Sequence, residues 1–281
     1  MEPSILFKIL CIAVGACLLL VLFYLFLIAP RRRRAITQIF ASHDYAHRGL
    51  HGNGVPENSM AAFRLAVEKG YGIEFDVQLT RDGIPVIFHD ATLSRMCGSG
   101  VTGGICDYTY SELSALRLAD SDEQIPTLGE LLSMVDGRVP LLMEIKREGN
   151  YKWTAAVAEH DTRSYRGLLM VESFHPLVLR YFKKKRPATV RGVLSANFFR
   201  DKAMRKPAFF LCRHLLLNCL ARPDFIAYDL HDRHALSLRL CRKMGAVTFA
   251  WTVTDTEMLA AARESGFDGV IFESIDPKGK L

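Results

Sequence analysis

The chain has 281 residues, 49% of them hydrophobic and 23% charged, and a formal net charge of +6. Four positive charges fall in one run, Arg31–Arg34, and without it about +2 remains, which argues against a strongly basic surface for nucleic acid. Seven cysteines, odd in number and with no CxxC pair, do not form a recognisable disulfide framework and read as buried structural thiols.

The chain opens on a segment suited to a bilayer. From Ile9 to Ala29 there are 21 positions without a charge. At about 1.5 Å per residue such a helix covers a hydrocarbon layer of roughly 30 Å. A cleaved signal peptide would have a shorter apolar core and a small-x-small exit, whereas this run ends on Pro30 and the arginines. The sequence therefore predicts a single-pass anchor over residues 9–29, with residues 1–34 as anchor and basic juxtamembrane segment and residues 35–281 as one folded domain. The arginines, expected to touch lipid headgroups, belong on the cytoplasmic side, which puts the folded domain there too.

The folded part has about 247 positions, close to the ~250 of a (β/α)8 barrel. Short apolar runs occur at Asp44–Ala46, Gly72–Val77, Pro140–Ile145, Gly167–Val171, Val190–Leu194, Phe225–Tyr228, Val247–Trp251 and Gly269–Phe272. Helix-like stretches separate most of them: Ser59–Lys69, Leu128–Val135, Pro176–Lys185, Leu236–Met244 and Thr256–Glu264. Strands alternating with helices predict a parallel sheet covered on its outside, and hence an α/β TIM barrel. A ninth run, Pro85–His89, follows the Asp82-Gly83 turn signal and reads as the return arm of a small hairpin insertion. A doubly wound sheet is the structural alternative. Cys97–Ile105 reads as a loop near the mouth, and Asn197–Arg222 breaks the rhythm with basic and apolar clusters.

Charged residues stand at the ends of these apolar runs: His47-Arg48, Glu74 and Asp76, His89-Asp90, Glu144 and Lys146. Burying such groups is costly unless opposite charge compensates them. Residues two apart on a strand share a face, so Glu74 with Asp76, and Glu144 with Lys146, would look into a barrel at its C-terminal end. Three carboxylates offer hard oxygen ligands to Mg2+ or Ca2+. His47 and His89 could serve as base and acid about a phosphorus centre, with Arg48 and Lys146 on the phosphate oxygens. The bland alternative has the acids simply paired with Arg48, Lys146 or Arg81.

The strings Ala46-His47-Arg48-Gly49, Pro56-Glu57-Asn58-Ser59, Glu74-Phe75-Asp76-Val77, Thr80-Arg81-Asp82-Gly83, Val86-Ile87-Phe88-His89-Asp90, Ile125-Pro126-Thr127-Leu128, Glu144-Ile145-Lys146 and Trp251-Thr252-Val253 resemble the glycerophosphodiester phosphodiesterase family over roughly residues 44–275. The resemblance implies a TIM barrel that hydrolyses glycerophosphodiesters to glycerol 3-phosphate and an alcohol, using a divalent cation. It assigns His47 and His89 to acid–base catalysis, Glu74, Asp76 and Glu144 to the metal, and Arg48 and Lys146 to the phosphate. Trp251 would line the substrate pocket, and Ser173-Phe174 matches a strand-end pair of the family. Two departures stand out. Phe272-Glu273-Ser274 replaces the commoner Thr-Asp, keeping an acid but lengthening it, and Thr254 stands where Asn is commoner. Neither is expected to touch the metal or the histidines.

His43, His51 and His175 lie near predicted loops and could approach the mouth, while His160, His214, His231 and His234 read as packing or surface residues. Glu57-Asn58 is expected to fix the first loop and cap the helix near Ser59. Phe209–Leu220, beside Arg205, Lys206 and Arg213, suits contact with a membrane surface or burial as a barrel helix. Two further readings stay open: lysophospholipase D-type activity on membrane lysolipids, and a non-catalytic membrane-bound scaffold.

Overall fold

A computed structural model describes residues 3–279. Eight parallel strands close into a barrel: β1 (Tyr45–Ala46), β2 (Gly72–Leu79), β4 (Leu141–Ile145), β5 (Leu169–Ser173), β6 (Val190–Ser195), β7 (Phe225–Asp229), β8 (Val247–Val253) and β9 (Gly269–Phe272), with β1 pairing both β9 and β2. The remaining strand, β3 (Pro85–Ile87), runs antiparallel against the far end of β2, so Pro85–His89 is the return arm that the Asp82-Gly83 turn predicts. The runs read as continuously apolar because both faces are covered, and all eight residues of β2 are buried.

The barrel interior is filled by Tyr45, Leu142, Met170, Val190, Phe225, Val247, Phe249 and Ile271. A second apolar layer lies between the strands and the outer helices, to which Phe63, Leu131, Leu179, Phe182, Leu238 and Ala262 contribute. The helix Tyr151–Asp161, capped by the Asn150 side chain, completes the alternation. After β3 the chain makes an excursion whose own small core gathers Val86, Phe88, Leu93, Met96, Ile105, Leu113 and Ile125. The insertion is thus larger than a hairpin, because these side chains bury one another beside the barrel.

The first helix, Pro3–Ile28, has an apolar stretch, Phe7–Ile28, long enough to cross a membrane. Its last turn docks on the barrel: Ile28 is fully buried and its carbonyl accepts from Asn218 Nδ2 at 2.9 Å. The arginines that follow grip the barrel at the N-terminal ends of its strands, where the sequence suggested headgroup contacts. Arg31 donates to the Pro187 carbonyl at 2.7 Å, Arg33 to the Ala188 carbonyl at 3.0 Å, and Arg34 to Asp268 at 2.6 Å. Arg33 Nε also lies 3.5 Å from the fully buried Asp224 carboxylate. The short helix Arg34–Ala41 then closes that end, with Phe40 in the interior core and the Phe40 carbonyl accepting from Tyr45 Oη at 3.1 Å.

Candidate active site

The opposite end of the barrel carries the charged residues. Tight backbone turns there set their positions. After β1 the chain turns through Arg48 (φ 53°) and Gly49 (φ 80°), and a side chain at Gly49 would sit 2.9 Å from the Ala62 Cβ. This close packing against the helix Met60–Lys69 aims His47 and Arg48 across the mouth. On β2, Glu74, Asp76 and Gln78 share the inward face; Asp76 stands opposite Glu144 in the register with β4.

Glu74, Asp76 and Glu144 each place an oxygen within 4.8 Å of the other two, and all three are buried. Their surroundings supply less positive charge than they carry. Lys146 Nζ lies 3.2 Å from both Asp76 Oδ1 and Glu144 Oε1, and Arg48 Nε lies 3.5 Å from Asp76 Oδ2. Asn58 Nδ2 donates to Asp76 Oδ2 at 2.9 Å, and the Arg48 N–H donates to Glu74 Oε2 at 2.9 Å. Burial opposes ionisation of Asp76, but Lys146, His89 and Arg48 outweigh it and hold this carboxyl far below its usual range. At Glu74 the Arg48 N–H and guanidinium help too little: burial, then the Asp76 and Glu144 charges, push it well above the carboxylate range. Glu144 is pushed up to about 7, again first by burial. Although Lys146 is near, Asp76 Oδ1 accepts no well-directed hydrogen bond. A pocket of converging, under-compensated carboxylate oxygens with an unsatisfied lone pair fits a hard divalent cation.

The two histidines flank this cluster with their rings held alike. His47 Nδ1 is 2.8 Å from Glu273 Oε2, and His47 Nε2 is 4.0 Å from Glu74 Oε2. His89 Nδ1 is 2.8 Å from Asp90 Oδ1. In each case a carboxylate fixes Nδ1 and leaves Nε2 for other partners. Burial depresses the His89 pKa below the usual imidazole value. The loop bearing His89 is pinned from β2, since Gln78 Nε2 donates to the Phe88 carbonyl at 2.9 Å and the Asp90 carbonyl at 2.8 Å. Arg95 ties Asp90 to Glu57 across the mouth, at 2.5 Å from Asp90 Oδ2 and 2.6 Å from Glu57 Oε1. Arg48 meets the same Glu57 oxygen at 2.8 Å.

Several expectations need correction. Glu273 was not expected to touch a histidine, yet it bonds His47 directly, because its longer side chain reaches back from the end of β9. The cap of the helix Met60–Lys69 is Ser59, whose Oγ accepts from the Ala62 N–H; Asn58 is free to serve Asp76. Arg81 pairs with Glu112 rather than with a site carboxylate. Of the three loop histidines, His51 lies beside Glu273 at 3.8 Å and His175 follows β5, where it stacks on Tyr151 at 4.3 Å. His43 precedes β1 and so sits at the opposite end. Gln78 and Glu172 were missed, since a single polar residue inside an apolar strand has no motif to announce it.

Trp251, at the end of β8, packs edge-on against Phe174 at 5.5 Å, and its indole N–H is buried without a partner. The aromatic row continues from Phe174 to Phe198 at 5.9 Å and from Phe198 to Phe209 at 5.2 Å. The first part of Asn197–Arg222, through Phe198 and the short helix Pro207–Arg213, therefore forms one wall of the mouth, while Asn218–Ala221 docks on the first helix.

A sequence profile of the glycerophosphoryl diester phosphodiesterase family matches residues 47–277. The chain belongs to this family. It is 30% identical over 251 residues to a glycerophosphodiester phosphodiesterase of Caldanaerobacter subterraneus, covering 83% of this chain and 93% of the relative. Human glycerophosphodiester phosphodiesterase 1 is 36% identical over 137 residues, 43% of this chain and 40% of that protein. Among solved structures, an Oleispira antarctica phosphodiesterase in complex with the product sn-glycerol-3-phosphate superposes with a TM-score of 0.67 at 26% identity, over 82% of this chain and 92% of the other. The glycerophosphodiester phosphodiesterase of Thermotoga maritima gives 0.63 at 28% identity, over 81% and 92%. Family membership makes the chain a phosphoric diester hydrolase and removes the scaffold reading.

Proposed function

We propose that this glycerophosphodiester phosphodiesterase cleaves its substrate to glycerol 3-phosphate and an alcohol with two histidines and a divalent cation, Mg2+ or Ca2+. The reading rests on one observation: Glu74, Asp76 and Glu144 converge within 4.8 Å, between two histidines whose Nδ1 atoms are each held by a carboxylate. Glu74, Asp76 and Glu144 would hold the ion, which supplies Lewis-acid polarisation of the phosphate. Arg48 and Lys146 bind phosphate oxygens and meet negative charge as it builds. His89, whose pKa burial depresses, takes the proton of the attacking water, or of the substrate's neighbouring hydroxyl before water opens the cyclic ester so formed, while His47, oriented by Glu273, gives a proton to the departing alkoxide. Trp251 lines the substrate pocket beside Phe174. Residues 1–34 serve as the anchor of a single-pass membrane protein and residues 35–281 as the barrel domain, held on the cytoplasmic side by the arginine run.

The test is hydrolysis of glycerophosphocholine and glycerophosphoethanolamine by the full chain in detergent, followed by release of glycerol 3-phosphate. Activity should vanish in chelator and return with added Mg2+ or Ca2+. Undiminished turnover after exhaustive chelation would remove the cation from the reading.

A second reading, lysophospholipase D-type cleavage, is favoured by the aromatic row from Trp251 to Phe209, which ends beside Phe210, 45% exposed. Replacing Phe209 and Phe210 with Asp should then reduce turnover of vesicle-borne lysophospholipid and spare soluble glycerophosphodiesters. Equal loss on both excludes it.

A further inference from the structure

One buried carboxylate at this end of the barrel has no part in the chemistry just described. Glu172 points inward from β5, where the register sets it opposite Glu144 on one side and Gly192 on the other. Gly192 offers it nothing, and cannot be larger, because a Cβ there would sit 2.0 Å from the Phe225 ring. Glu172 is 1% exposed, and its Oε2 is sealed from solvent with no hydrogen-bond partner. Among the described residues no ion pair includes it. The charges that act on it most are those of Glu74, Glu144 and Asp76, opposed by Lys146.

The other three acids are each engaged: Asp76 with Asn58 and Lys146, Glu144 with Lys146, Glu74 with the Arg48 N–H. Lys146 is already shared between two of them, so no protein cation is left for a fourth. A buried carboxylate facing three like charges stays ionised only where something positive lies between them. Glu172 lies opposite Glu144 in the register but stands outside the set of acids whose oxygens lie within 4.8 Å of one another. We propose that Glu172 is a fourth carboxylate of the cation site, holding the ion from its outer shell by accepting a hydrogen bond from a water the ion carries. The proposal rests on the reading of Glu74, Asp76 and Glu144 as cation ligands. Outer-shell acceptors of this kind orient the coordinated water and typically contribute ten- to hundredfold in affinity.

The experiment is calorimetric titration of the full chain in detergent with Mg2+ and with Ca2+, for the parent, Glu172→Gln and Glu144→Gln, alongside thermal unfolding in chelator. Glu172→Gln keeps the shape and removes the charge. Its dissociation constant should rise about ten- to hundredfold for the ion that the parent binds, with a melting midpoint in chelator at or above the parent's. Unchanged affinity in Glu172→Gln, while Glu144→Gln loses binding, overturns the role of Glu172 alone. A lower midpoint in chelator also overturns it, because Glu172 would then be a packing residue. If Glu144→Gln too binds like the parent, the cation site itself fails and takes this proposal with it.

Discussion

Each histidine of the site is one half of a dyad, and this shapes what its loss should do. Glu273 and Asp90 hold Nδ1 of His47 and His89, so the rings are oriented before substrate arrives. His47→Ala and His89→Ala should each lower turnover by roughly 10²–10⁴, with circular dichroism unchanged. Turnover within a few-fold of the parent for either variant would remove that histidine from acid–base work. The motif residues were legible because charge in an apolar strand is costly and their spacing is regular. Glu273 was visible as an acid but its partner was not, since which of two strand ends meets His47 depends on the closure of β9 onto β1. Gln78 and Glu172 were invisible for a different reason: their meaning comes from neighbours 10 or more residues away.

At the scale of elements, the mouth is strapped by Arg95, which joins the loop after β1 to the loop after β3. Burial raises the Glu57 and Asp90 pKa values, but hydrogen bonds from Arg95 outweigh it, aided at Glu57 by Arg48, and both carboxyls end below their usual range. A depressed carboxylate pKa adds stability above the unfolded value near 4, and that stability is lost as pH falls through the folded value. Arg95 is half exposed, so its strap is worth only about 1–2 kcal/mol. Arg95→Met should therefore be less stable than the parent by about that much at pH 7 in urea titrations, and the gap should shrink as pH falls below the unfolded carboxyl values of about 4 and through the lower folded ones. A gap that does not shrink in acid would mean the Arg95 stem packs rather than pairs. The eight barrel strands were readable from apolar runs bounded by turns, with ends within a residue or two. The core of the excursion after β3 was not, because Val86, Phe88, Leu93, Met96, Ile105 and Leu113 are too irregularly spaced to show a period.

Over the whole molecule, the basic run after the first helix is a joint. Asp224, fully buried, faces Arg31 at 3.9 Å and Arg33 at 3.5 Å and accepts from the Arg191 N–H at 3.1 Å. Asp224→Ala should free the arginines from the barrel, and trypsin should then cut within Arg31–Arg34 many times faster than in the parent. Equal cleavage rates would place the hold elsewhere, in Asn218, Arg222 or the helix Arg34–Ala41.

That joint also makes the stem and the barrel a single mechanical body. A leash of loose residues would let the opening swivel and hunt for substrate at any height. Here Ile28 is sunk into the barrel flank and the next residues are bolted beneath the strands. Whatever grips the first helix therefore also fixes the azimuth and elevation of an opening at the far pole of the barrel.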